Sequence, residues 1–506
     1  MSLMAVALTP ISQSSMYEIP AQHLETLACL YEFESDLVQR SGKVGELFEA
    51  SWSISELTES LRIFGISKLD VEECVKWLWS ERRLVPLQPN SSKTLGFERF
   101  RTDTCELIRL SSFTYPRLLP PANVPMKSTQ AGITWRIERK KIPKRIISIE
   151  ESILHLKNLL SFEISEDSNL STAIEIALHG FYDYMHEKGI SNPKLSSFQI
   201  QAISVFIKQS LSNDELHQLI SAGTGSGKTF GFQLGVLSLL ILNRLNGIDS
   251  QKIEFLMVYP RVALAVDQHS SFFDLSNSVN NLLVQRKLEP IISILDAGGQ
   301  LIPQIKRMGA PSKNLVSISK ASEYAYTINK PDVIVTNLDS LNNRLWKTDA
   351  AFSLKHDLRS IILDEVHLYE GLTGANYSNV IRRLRLLCVH PIHFCGVSAT
   401  IADGNEHMRN VTGCDSDDVE IVEPEEEEMV LNGIVHHVLH AQVEGSSYVS
   451  NLTNMASLQQ HQRNRRISKE VESPRSARKG IGFADSLHLL GQWAHFLSET
   501  EGWRPV

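Results

Sequence analysis

Cysteine is scarce. Six residues in 506, at positions 29, 74, 105, 388, 395 and 414, show no spacing that belongs to a disulfide framework. Long apolar runs are missing too: the strongest, Leu234 to Leu242, is about half of what a membrane-spanning helix needs. Met1 to Met16 lacks a basic n-region, which argues against a secretory signal. Positive charge is not in excess; 50 Lys and Arg against 58 Asp and Glu leave −8. That excludes a uniformly basic nucleic-acid coat, though not a local basic groove. Apolar residues at 42% and charged residues at 21% sit near globular averages, so disorder, collagen-like and coiled-coil classes are excluded for the bulk. The expectation is a soluble, cytoplasmic chain of roughly three to four domains with no membrane partner.

Residues 1–122 read as a helix-rich N-terminal domain. Ser53-Ile-Ser-Glu56 fits a capping box, and Val71, Cys74, Val75 and Leu78 follow the spacing of one helix face from Asp70 onward. Two alternating segments, Arg83 to Leu87 and Thr94 to Phe100, predict a hairpin. Helix, turn, helix, hairpin is the outline of a winged helix or of an ordinary helical packing domain. Residues 123–194 read as a basic linker, with six bases between Arg136 and Arg145, followed by a helical connector. From 195 to 415, strand-length apolar runs alternate with helices (His217–Ser221, Glu254–Tyr259, Ile291–Leu295, Val333–Thr336, Ile361–Leu363, Phe394–Val397). This predicts an α/β domain, a parallel sheet covered on both faces. Residues 416–479 read as an acidic and polar linker, starting with the nine acids of Asp415 to Glu428, and 480–506 restarts a strand and a helix.

Two motifs carry chemistry. Ala222-Gly223-Thr224-Gly225-Ser226-Gly227-Lys228-Thr229 follows a strand and opens a helix, the context of a phosphate-binding loop. Its backbone N–H groups would cradle the phosphates of ATP, Lys228 would supply a point charge, and Thr229 could ligate Mg²⁺. In Ile361-Ile-Leu-Asp364-Glu365-Val-His367, an apolar strand delivers two carboxylates to the sheet's C-terminal edge, where open α/β sheets bind ligands. There Asp364 is expected to hold Mg²⁺, and Glu365 to orient and deprotonate the attacking water. Cys388-Val-His-Pro-Ile-His-Phe-Cys395 matches no common zinc spacing and reads as core and turn. His436, His437 and His440 could share a helix face and read as surface histidines.

Asp364-Glu-Val-His367 resembles the DEAD/DEAH-box motif II of superfamily 2 helicases, and Ala222 to Thr229 resembles their motif I. Phe198-Gln199-Ile-Gln-Ala202 resembles the Q motif, which implies that Gln199 reads the adenine edge. Pro260 and Arg261 fall in a motif Ia-like segment, Gly298-Gly299 match the intervening Gly-Gly element, and Thr336-Asn337 resemble motif Ib. The resemblance implies that these track a nucleic-acid backbone. Ser398-Ala399-Thr400 resembles motif III, which with His367 would couple nucleotide state to strand binding. Asp364 to Gly371, Gly374, Arg382 to Arg385 and His407 resemble the Lhr/YprA-like DNA helicases, and large helicases of prokaryotic DNA-modification and phage-defence clusters look similar.

The resemblance implies a RecA-like lobe over 195–415 and an ATP-dependent DNA helicase or translocase, with RNA an open alternative. Motifs V and VI of the family, with their arginine finger, find no match, and 480–506 resembles only the start of the second lobe. The implied expectation is a weak or inactive isolated ATPase completed by a second chain. The other class of reading is a non-hydrolysing, ATP-gated scaffold.

Overall fold

The computed structural model describes residues 5–8, 19–40, 50–81, 83–87, 99–108, 133–212, 214–248, 252–297, 300–301, 330–346, 354–399 and 401–440. Gly298, Gly299, Thr400, the linker over 444–479 and the segment 480–506 lie outside them. The chain forms two compact units, one of 142–430 and one of 1–141 with 431–506.

In the larger unit, eight strands form one sheet: β1 His217–Ser221, β2 Phe255–Tyr259, β3 Ser293–Ala297, β4 Gln300–Leu301, β5 Val333–Asn337, β6 Ser360–Leu363, β7 His393–Ser398 and β8 Val419–Val422. Their order is β8-β1-β7-β6-β2-β5-β3-β4. Seven run parallel, and β4 pairs antiparallel with β3. Neighbouring side chains point to opposite faces, so each apolar run feeds two cores. Ile220, Met257, Val335 and Ile362 join one. Leu219, Leu256, Ile334 and Ile361 join the other. This is a RecA-like architecture, a parallel sheet buried on both faces.

The helices are α1 Ile149–Leu159, α2 Asn169–Glu187, α3 Ser197–Leu211, α4 Lys228–Leu245, α5 Val262–Gln285, α6 Leu338–Leu345, α7 Gly371–Leu387 and α8 Gly404–Thr412. The segment expected to be a connector is part of this unit's core: Leu156 of α1 and Ala173, Ile174 and Phe181 of α2 are fully or nearly fully buried with α4 and the sheet. The acidic stretch likewise contains β8. Val419 and Val422 are buried while Glu420 and Ile421 are exposed, and β8 pairs in parallel with β1. Two apolar side chains on a sheet edge outweigh the surrounding charge, which stays solvated.

The smaller unit has helices at Ala21–Arg40, Ile54–Arg62 and Lys68–Ser80, then an antiparallel pair, Leu84–Pro86 with Phe100–Thr102. Ser53 and Glu56 form the expected capping box. Val71, Cys74, Val75 and Leu78 are the buried face of the third helix. Most of the basic run is strand in place of the expected linker, with Arg136, Lys141, Lys144 and Arg145 exposed. Ile133–Pro143 is a strand in a three-stranded sheet with Met429–His440 and Ala5–Leu8. Trp135 is fully buried, and Arg139 pairs with Glu25 at 3.1 Å and with Glu32. The histidines expected on a helix are on the Met429–His440 strand instead. His436 is buried, its Nδ1 accepting from Trp135 Nε1 at 3.3 Å, and His437 lies 2.6 Å from Glu138 Oε2.

Candidate nucleotide site

β1 ends at Ser221 and α4 begins at Lys228. Between them, Gly225 and Gly227 have φ of 87° and 84°, the left-handed region that only glycine adopts freely. These reversals fold the loop tightly ahead of the helix N-terminus. Ser226 Oγ closes it by donating to the Gly223 carbonyl at 2.6 Å. The Lys228 ammonium donates to the Ala222 carbonyl and to that of Gly223 at 3.4 Å. Ala222 N–H in turn donates to the Ser398 carbonyl at 3.2 Å, joining this loop to the end of β7.

Asp364 and Glu365 leave β6 on the same sheet edge. Asp364 N–H donates to the Val258 carbonyl at 3.0 Å and its Oδ1 accepts from Glu365 N–H at 3.0 Å. Burial first, then the Glu365 charge, pushes the Asp364 carboxyl up to about 7 against the opposing pull of Lys228. Burial pulls the Lys228 ammonium down, and Glu365 and Asp364 oppose it. The loop lysine and the carboxylate pair therefore feel one another directly, as the two motifs require. The phenols of Tyr259 and Tyr369 share this environment: both are buried, both hydroxyls are without a partner among the described residues, and burial with the Asp364 charge raises both.

Glu365 is left-handed, with φ 49°. A side chain in that conformation needs outside support. His367 Nδ1 lies 3.3 Å from Glu365 Oε2 and 3.3 Å from Ser398 Oγ. His407, on α8, places Nε2 2.8 Å from the Val366 carbonyl. Ser398 itself is fully buried, and Ala399 is half-buried beside it.

Gln199 is buried and does two jobs here. Its Oε1 accepts from Ser196 N–H at 3.0 Å, completing the cap of α3, and its Nε2 donates to the Gly227 carbonyl at 3.1 Å. The phosphate loop is thus pinned to the α3 cap. Of the residues expected along a nucleic-acid path, Arg261 is exposed and Pro260 half-buried at the start of α5. Thr336 is fully buried, its hydroxyl donating to the Asp296 carbonyl at 2.7 Å, and Asn337 is 5% exposed. Cys395 and His393 lie buried within β7, in the core as expected.

The sequence model of the DEAD/DEAH box helicase family matches residues 196–408, which span α3 through most of α8. This stretch is a DEAD/DEAH box helicase domain. The chain is 25% identical over 297 residues to the ATP-dependent helicase hrq1 of Schizosaccharomyces pombe, a match covering 55% of this chain and 24% of that protein. It is 28% identical over 195 residues to the uncharacterized ATP-dependent helicase YprA of Bacillus subtilis, covering 38% and 21%. The chain thus spans about a quarter or less of the curated relatives it matches. Among solved structures, helicase Lhr of Mycobacterium smegmatis bound to ssDNA and AMP-PNP aligns with a TM-score of 0.43 at 20% identity, covering 65% of this chain and 37% of that one.

Two contacts around the site were not foreseen by the motif reading. Arg145 donates from Nη2 to the Gly225 carbonyl at 3.0 Å, and His407 holds the turn after Glu365. Arg145 belongs to the basic run, so only its charge was legible. His407 was legible only as part of a family pattern. No helix among the described residues is long and apolar enough to cross a membrane.

Proposed function

We propose that this chain binds ATP-Mg²⁺ across the strand ends of its helicase domain and uses it to move along a nucleic-acid strand, DNA in the first instance. The observation that carries this reading is the joining of the two motifs at the end of β7: Ala222 of the loop donates to the Ser398 carbonyl, and Ser398 Oγ meets His367 beside Glu365.

A divalent cation fits this arrangement. Two partly buried carboxylates lie on the strand ends beside one lysine, and burial first, then the Glu365 charge, pushes Asp364 up. The described residues contain no cluster of three or more His, Cys, Asp or Glu that could cage a metal. Thr229 and Asp364, the motif residues of the two segments, would be its protein ligands, with water and phosphate oxygens completing the shell, the usual habit of Mg²⁺. Bound there, the ion would neutralise phosphate charge. Lys228 would bind the terminal phosphates, and Glu365, held by His367 and by the Val366 turn, would orient the attacking water and accept its proton.

Exposed Arg261 at the head of α5 supports phosphate contact with a strand and hence weak sequence preference. Among the described residues Lys228 is the cation acting on Asp364. We expect fast turnover to need an arginine beyond the described residues, since such a cation typically contributes about 10³–10⁵ in rate. The test is steady-state phosphate release with and without single-stranded DNA or RNA, with Glu365→Gln as the blank. We expect slow release above the blank by residues 1–506, and stimulation by DNA once a chain carrying motifs V and VI is added. Release indistinguishable from the blank in every condition would overturn the proposal. Stimulation by RNA alone would reassign the strand.

A further inference from the structure

Arg145 is the last base of the run that starts at Arg136, and it departs from the strand Ile133–Pro143 to meet the phosphate loop. Its Nη2 donates to the Gly225 carbonyl at 3.0 Å. A Cβ placed on Gly227 would lie 3.1 Å from that same Nη2 and 2.4 Å from Nε2 of Gln199. Arg145 and Gln199 therefore converge on Gly227 of the loop. Lys228 meets the carbonyls of Ala222 and Gly223 and feels the charges of Asp364 and Glu365.

Among the described residues the Arg145 guanidinium has no ion-pair partner. Burial lowers its pKa, with no acid among the described residues opposing it, although the residue keeps an exposed outer face. A guanidinium carries five donors in a planar fork, and Gly225 takes one of them. Fixing an uncompensated cation beside backbone N–H groups that already gather negative charge costs stability unless an anion completes the set.

We propose that Arg145 is a nucleotide-contacting residue outside the helicase motifs, its guanidinium binding the ADP portion of ATP at the Gln199 end of the phosphate loop. The inference rests on the nucleotide-site reading above. It has a distinctive consequence. A contact to the part shared by ATP and ADP strengthens binding of both alike, whereas Lys228 serves the terminal phosphates.

The experiment is equilibrium titration of residues 1–506 with ADP and with ATP, each with Mg²⁺, for wild type, Arg145→Ala, Arg145→Gln and Lys228→Ala. Arg145→Ala is expected to weaken both nucleotides by the same factor, about ten-fold or more, as loss of a charge-assisted hydrogen bond predicts. Arg145→Gln keeps a donor for the Gly225 carbonyl and removes the charge, so a mere brace on the loop would be rescued by Gln and a nucleotide contact would not. Affinity of Arg145→Gln equal to wild type for both nucleotides, with Lys228→Ala impaired, would overturn the Arg145 assignment and leave the site standing. Failure of wild type to bind either nucleotide would overturn the site itself and Arg145 with it.

Discussion

Nε2 of His407 donates to the carbonyl of Val366 across 2.8 Å; a backbone carbonyl only accepts, so this nitrogen carries the proton. The bond ties α8 to the residue directly after Glu365, which sits at a φ of 49°. His407→Ala leaves that carbonyl without its partner and frees the turn to relax. A lost hydrogen bond of this kind costs about 1–3 kcal/mol. We expect turnover to drop about ten-fold or more with ATP affinity near wild type, and His407→Gln, which restores a donor, to recover part of it. Equal losses in both variants, or loss of affinity in place of rate, would contradict the positioning role.

Arg139 and Arg261 are expected to part company in salt titrations. Arg139 is engaged by Glu25 and Glu32 and lies 3.2 Å from Cys29 Sγ, whereas Arg261 is exposed. Arg261→Ala should flatten the dependence of log affinity for single-stranded DNA on log salt by about 0.7 per lost contact. Arg139→Ala should leave that slope unchanged and lower the melting temperature instead. A flattened slope in Arg139→Ala would return the basic run to the nucleic-acid path.

Glu34 gives the smaller unit a pH signature. It is fully buried and accepts from Trp52 Nε1 at 2.8 Å, from Thr102 N–H at 2.6 Å and from Thr102 Oγ1 at 2.5 Å. Burial outweighs these bonds and pushes its carboxyl up to about 7. The folded state then binds more protons than the unfolded state between the ordinary carboxylate range and about 7, so stability falls as pH rises through that window. Glu34→Gln can satisfy the same three groups, the Thr102 hydroxyl turning to accept. It should flatten that part of the profile and raise stability at pH 8. The readout is hydrogen exchange at Trp52 and Thr102 against pH, and an unchanged profile in Glu34→Gln would assign the dependence elsewhere.

Much of this was legible in the sequence, for identifiable reasons. Local rules suffice where the signal is local: Ser53 and Glu56 are three residues apart, and the alternation of Leu256 with Met257 or Ile361 with Ile362 is the sheet's own period. The phosphate loop was legible because Gly225 and Gly227 must be glycine for their φ values. Charge misled where it outnumbered pattern. The strand Ile133–Pro143 holds buried Trp135 beside four bases, and β8 holds Val419 and Val422 among acids. His436 was unreadable as a buried group, since its partners Trp135 and Tyr31 lie hundreds of residues away. Arg145 and His407 act through contacts to backbone carbonyls, which leave no trace in residue type at either end.

The central claim is that the loop of Ala222 to Thr229 and the pair Asp364–Glu365 form one ATP site. The measurement that tests it most directly is the affinity of residues 1–506 for ATP-Mg²⁺ in wild type against Lys228→Ala, with the nucleotide-free melting temperature as a check on folding. Lys228 is only partly buried and its ammonium contacts loop carbonyls, so the fold should survive its loss. The account predicts saturable binding by wild type, and a loss of about ten-fold or more in the variant at an unchanged melting temperature. Equal affinity in the two proteins would contradict it.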